Sequence, residues 1–158
     1  MAWLDCLFNI NVFASNYFYI WINALMNKKT AILVQAKPSY MSAQSDPFHL
    51  KFVWSYEITI TNEGDDVVQL LNRYWRITEM TGHVEEVHGA GVVGLQPLIK
   101  PGKQFNYMSF CQLATPQGTM EGYYEMQNLN EIHFKVEIPK FILSAPTALT
   151  RSFRSKLH

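Results

Sequence analysis

Lys51-Phe52-Val53-Trp54-Ser55-Tyr56-Glu57-Ile58-Thr59-Ile60-Thr61-Asn62 decides the fold class. Phe52, Trp54, Tyr56, Ile58 and Ile60 occupy alternate positions, while Lys51, Ser55, Glu57, Thr59 and Thr61 fall between them. Apolar residues with a period of two mark a strand that turns one face to a core and the other to water. Asn62-Glu63-Gly64-Asp65-Asp66 then supplies a hairpin-type connection. Val67–Glu79 resumes the extended pattern, with Val68, Leu70, Tyr74 or Trp75, and Ile77 as core candidates. The alternation slips near Leu71-Asn72-Arg73, which predicts a β-bulge.

The same period governs the chain on either side. Ala31–Tyr40 alternates through Ile32, Val34 and Ala36 until Pro38 interrupts it, and Ser45-Asp46-Pro47 is turn chemistry. Downstream, Thr81-Gly82 turns the chain into a short strand, His83–His88, and Gly89–Gly94 follows as a loop. Lys100-Pro101-Gly102-Lys103 leads into Gln104–Gln112, and Thr115-Pro116-Gln117-Gly118 into Thr119–Gln127. Ile132–Phe141 alternates until Pro139. No window carries a helical pattern over three turns. About seven strands at this spacing predict an all-β fold, an immunoglobulin- or fibronectin type III-like antiparallel β-sandwich. The stretch 147–158, with Arg151, Arg154 and Lys156, reads as a flexible basic tail.

A chain of 158 residues fits one domain with some extra. Lys and Arg total 13, as do Asp and Glu, so no basic excess points to nucleic acid. Cys6 and Cys111 are the only cysteines and no zinc spacing occurs, which fits a reducing cytoplasm. Met1–Leu25 differs from the rest: it is aromatic, rich in Asn and charged only at Asp5. It lacks the basic start of a signal peptide. Asn9, Asn11, Asn16 and Asn23 interrupt any membrane span. A buried helix would need a partner surface that a complete β domain does not offer. The favoured reading is an upstream extension with the natural start at Met26; a membrane anchor is the runner-up. The domain proper then spans 26–146.

Gly89-Ala90-Gly91-Val92-Val93-Gly94 spells G-x-G-x-x-G. That spelling binds a pyrophosphate where a strand meets a helix, whose N-terminus faces the anion. Here Leu95-Gln96-Pro97 leads to another extended stretch, and Gly102–Cys111 holds no acidic ribose partner. Two readings remain: a nest of N–H groups for an anion, with Arg73 and His88 as nearby donors, or a tight crossing that needs glycine. The crossing is favoured. Catalytic signals are weak. Glu85 and Glu86 are adjacent and point to opposite faces of a strand, as do His83 and His88. His133 reads as solvent-facing, Cys111 has no adjacent activating group, and Ser109 lacks the nucleophile-elbow context. No catalytic residue, metal site or cofactor is assigned. Trp54, Trp75, Tyr74, Tyr123 and Tyr124 exceed the needs of one small core, so some should form an exposed face.

Longer blocks carry a resemblance. Gln69–Thr78, Val84–Pro97, Pro101-Gly102, Phe105–Ser109, Thr115–Tyr124 and Ile138-Pro139 resemble the ApaG family from Ala31 to about Pro146. The resemblance implies a fibronectin type III-like sandwich of the stand-alone bacterial type, with no established enzymatic activity. The family's name comes from gene neighbourhood beside diadenosine-polyphosphate hydrolysis, and a link to cobalt and magnesium handling has been attached to it. The expected function is a non-enzymatic module that binds a protein partner through an aromatic face or a strand edge, compatible with a homodimer. The alternative is a sensor holding pyrophosphate or a nucleotide polyphosphate at Gly89–Gly94. Neither nucleic acid nor, outside Met1–Leu25, a membrane is expected as a partner.

Overall fold

The computed structural model describes residues 31–156, so the readings of Met1–Leu25 and of a start at Met26 lie outside the described residues. Among the described residues eight strands form two antiparallel sheets: β1 (Ile32–Tyr40), β2 (Phe52–Asn62), β3 (Val68–Glu79), β4 (Val84–Ala90), β5 (Leu98–Ile99), β6 (Gln104–Leu113), β7 (Gln117–Asn128) and β8 (His133–Ser144). One sheet has the order β1-β2-β6; the other runs β4-β3-β7-β8, with β5 pairing on β3. This is the expected antiparallel β-sandwich, with the two-residue β5 as the strand beyond seven. Contacts between β1 and β8 close one side of the sandwich, whereas no comparable contact joins β4 to β6 on the other.

The alternation of β2 is realised in full, since Phe52, Trp54, Tyr56, Ile58 and Ile60 are all buried. They meet an aromatic cluster on the opposite sheet. Trp75 lies edge-on to Tyr56 at 5.6 Å and to Phe141 at 6.0 Å between ring centroids. Tyr107 and Tyr124 share one hydrogen bond between their hydroxyls at 2.6 Å, which lets two phenols be buried without an orphaned polar group. Asn62 is fully buried and holds three connections at once. Its side-chain amide donates to the carbonyls of Asp66 (2.7 Å) and Ile99 (2.9 Å), and its side-chain oxygen accepts from the Gly64 N–H (3.0 Å).

The bulge lies where the sequence places it. The β3–β7 register shifts between Leu70 and Asn72, leaving Leu71 as an extra residue. That extra residue reverses the alternation, so Leu70 and Trp75 are both buried although five apart, and Tyr74 faces outward. It resolves the ambiguity between Tyr74 and Trp75.

Prolines do not stop strands here. β1 runs through Pro38 and β8 through Pro139. Both strands sit at the end of their sheets, where a missing N–H breaks no ladder. Pro139 also falls in a second register shift, opposite Glu121, whose carboxylate pairs with Lys140 at 3.3 Å. The flexible-tail reading of 147–158 is corrected: Thr147–Lys156 is a helix, α1. Leu149, Thr150 and Phe153 recur on one side of it, and Phe153 meets Phe52 edge-on at 6.3 Å. Its ten residues are too few for three turns, and its arginines disguise the apolar stripe.

Burial, first of all, pushes the phenols of Tyr56, Tyr107 and Tyr124 above their ordinary value of 10.0. A phenol raised on folding contributes stability that is complete below the unfolded value, about pH 10, and is lost as pH climbs beyond it. We expect cooperative alkaline unfolding in which these tyrosines ionise only as the fold is lost, followed by tyrosinate absorbance together with circular dichroism. Smooth ionisation of every tyrosine near pH 10 in a folded protein would contradict the buried hydroxyl pair.

Candidate functional site

The glycine-rich segment is built on the bulge. Gly89 and Ala90 belong to β4, paired with Arg73 and Asn72, so the predicted loop Gly89–Gly94 is in fact a strand end plus a short loop from Gly91 onward. The Gly91 N–H donates to the Leu71 carbonyl at 2.7 Å, and the Gln96 side chain donates to the same carbonyl at 2.8 Å. Val92 and Leu95 exchange backbone hydrogen bonds of 2.8 and 2.9 Å, closing a tight turn that sinks Val92 fully into the core.

Each glycine meets a different demand. Gly91 (φ 57°) and Gly94 (φ 79°) adopt the left-handed conformation, and a Cβ on Gly91 would stand 2.1 Å from the Leu95 carbonyl oxygen. Gly89 makes room for a side chain: a Cβ there would lie 2.8 Å from the Arg73 guanidinium. Arg73, turned inward by the bulge, lays its guanidinium across Gly89 and donates through Nη1 to the carbonyls of Ala90 (3.0 Å) and Gly91 (2.7 Å).

These bonds set the chemistry of the segment. The N–H groups of Gly91 and Val92 are spent on backbone carbonyls, and the nearby cation is held by the segment's own oxygens. Of the two expected donors, Arg73 reaches the loop as a clamp, while His88 lies on the outer face against Tyr74, 4.7 Å between ring centroids. Geometry therefore favours the tight crossing. The residues Gly89, Ala90, Gly91, Val92, Val93 and Gly94 stay together, but as an architectural unit.

Two concave surfaces border this unit. A cleft of about 350 Å³ on the outer sheet face brings Arg73, His88, Gly89 and Ala90 together with Tyr74 and Tyr123. Tyr74 and Tyr123 stack there at 4.8 Å, and Lys135 sits 3.9 Å above the Tyr123 ring. The Tyr74 hydroxyl donates to Glu86 at 2.8 Å, and that bond is the first cause of its raised pKa. The second surface is a groove of about 320 Å³ along the open side between β4 and β6. Trp75, Ile77 and Met120 form its floor, with Glu85 and Val87 on one wall and Ser109 and Cys111 on the other. Ala114 N–H donates to Glu79 Oε1 (3.1 Å) beyond one end of it.

Sequence reasoning placed Tyr74 and Tyr123 among the surplus aromatics but missed the groove, because β4 and β6 belong to different sheets. One signal was present: Met108 and Phe110 are apolar on the face opposite Tyr107, and they are 56% and 60% exposed on an unpaired edge strand. Cys111 is a buried strand residue, and its thiol is pushed up to about 12, chiefly by burial, which disfavours the thiolate at neutral pH. Among the described residues no three His, Cys, Asp or Glu side chains are grouped to hold a metal ion, and no helix is long and apolar enough to cross a membrane.

Fold and surface define a small β-sandwich with an internally clamped glycine crossing, an aromatic outer face and one open edge groove. The ApaG domain family model matches residues 42–128. The ApaG protein of Mesorhizobium japonicum is 50% identical over 115 residues, covering 73% of this chain and 88% of that protein. That of Parvibaculum lavamentivorans is 47% identical over 123 residues, 78% of this chain and 93% of its own. The crystal structure of an ApaA protein from Bordetella pertussis superimposes with a TM-score of 0.74 at 43% identity, covering 76% of this chain and 98% of that one. The chain belongs to the ApaG family.

The glycines should be separable by stability. Gly94→Ala, with open space at its Cβ, is expected to cost about 1–2 kcal/mol for the left-handed backbone alone. Gly91→Ala adds a collision with backbone and should cost well beyond that, measured by urea unfolding. Equal costs at the two positions would count against the crossing.

Proposed function

We propose that this ApaG domain is a non-enzymatic protein-binding module whose docking surface is the open groove between β4 and β6. The observation that supports it most directly is the exposure of Met108 and Phe110 on a strand whose outer backbone groups pair with nothing among the described residues. Free edges are normally guarded by proline, lysine or a covering segment. β1 and β8 carry prolines and cover one another, whereas β6 shows two large apolar side chains beside a groove with an aromatic floor. An extended partner segment gains ladder hydrogen bonds at such an edge and apolar burial in the groove. Aromatic side chains such as Phe110 are frequent anchors of interfaces. A second copy of the chain is one partner that would fit, giving a homodimer.

The sensor alternative, a phosphate-containing ligand at Gly89–Gly94 with an indirect tie to cobalt and magnesium handling, has less support. The Gly91 and Val92 N–H groups and the Arg73 cation, which such a ligand would use, are already engaged by backbone carbonyls. A photo-cross-linking residue in place of Phe110 is expected to capture one discrete protein in the cells that make this chain, and the same probe in place of Leu33, on the covered side, is not. Capture of the same proteins at both positions would overturn the docking surface. Pyrophosphate, ATP and diadenosine tetraphosphate, each with and without Mg²⁺, are expected to leave Tm unchanged at millimolar concentration. A rise in Tm would revive the sensor, because a ligand bound only by the folded state must stabilise it.

A further inference from the structure

The groove carries Glu85 toward one end and Arg73 toward the other. The side chains of β4 that turn toward it are Glu85 and Val87; at the next inward position, Gly89, the Arg73 guanidinium takes the place of a side chain. The register fixes their spacing, since Glu85 faces Ile77, Val87 faces Trp75 and Gly89 faces Arg73 on β3. Acid, apolar group and base thus follow one another at alternate positions along β4, the base supplied at the Gly89 position by Arg73 of β3. Arg73 is half-buried, and among the described residues its guanidinium hydrogen-bonds to the two loop carbonyls alone. Among the described residues no carboxylate pairs with it. A partly desolvated guanidinium gains most from a carboxylate, which its planar donor fork can hold. At the other end Glu85 stands exposed on the rim near Cys111, whose thiol its charge helps to raise.

We propose that the groove recognises an extended partner segment bearing an acidic, an apolar and a basic side chain at alternate positions, the acidic one on Arg73 and the basic one on Glu85. This rests on the module reading above and specifies its partner. The geometry matches because an added strand repeats every two residues as β4 does. Positions i, i+2 and i+4 of the segment span about 13 Å, the same length of extended chain that separates Glu85 from Gly89. The apolar middle residue then meets Val87 over the Trp75 floor. Charge order, rather than net charge, is what such a groove would read, and it also fixes the direction in which the segment runs.

Four nine-residue peptides of serine and threonine test this, with Glu-x-Val-x-Lys, Lys-x-Val-x-Glu, Glu-x-Val-x-Glu or Lys-x-Val-x-Lys at the centre. Titrations followed by amide chemical shifts of the whole chain give affinity and place together. One of the two mixed orders is expected to bind at least tenfold more tightly than the other three, with shifts confined to β4, β6 and the Arg73 clamp. Glu85→Lys, at an exposed site that should not affect folding, is expected to transfer the preference to Glu-x-Val-x-Glu. Equal binding of all four peptides, shifts centred on the Tyr74–Tyr123 face, or no change of preference with Glu85→Lys would overturn the proposal. Failure of every peptide at millimolar concentration would also overturn it; if residue 110 still captures its partner, the module reading stands without this charge order.

Discussion

One extra residue, Leu71, sets the phase of β3, the strand on which the site is built. Without it, the inward row that begins at Val68 and Leu70 would continue through Asn72 and Tyr74. With it, Arg73, Trp75 and Ile77 turn inward instead. The bulge also frees the Leu71 carbonyl from the ladder, and Gly91 N–H and the Gln96 side chain both take it up. Register, core aromatic and glycine crossing are therefore one constraint met three ways.

That constraint explains why the glycine motif misleads. Its spelling is that of a phosphate cradle, yet each glycine answers to a neighbour: Arg73 over Gly89, the Leu95 carbonyl beside Gly91, and the backbone turn at Gly94. A cradle presents N–H groups outward. In this crossing the Gly91 and Val92 N–H groups donate to backbone carbonyls, and the Arg73 guanidinium is held by the carbonyls of Ala90 and Gly91. The same guanidinium, held at the end of the open groove, becomes the feature a partner would meet. The clamp thereby places that charge beside the open edge.

Much of the fold was legible because period-two patterns report burial directly. β2 reads without error, and the bulge at Leu71 shows as a slip in alternation. Errors fell where tertiary context outweighs the local pattern. Pro38 and Pro139 look like strand ends until the strands prove to lie at sheet ends. α1 is helical because Phe153 finds Phe52, a contact more than a hundred residues apart in sequence. Asn62 looked like part of a turn and is a buried tie between three segments. The site was less legible. Tyr74 and Tyr123 stood out by composition, but the groove depends on β4 and β6 lying opposite each other, which no local spacing records.

The covering of β1 by β8 has a consequence for assembly. A sandwich with free edges on both sides can pass strands from copy to copy and grow without limit, the geometry of fibrils. Here one side is occupied internally, and the remaining edges, β4 and β6, flank a single groove. A strand seated there fills the vacancy and leaves no equivalent edge for the next molecule. The architecture thus permits pairing while capping it at one guest per domain.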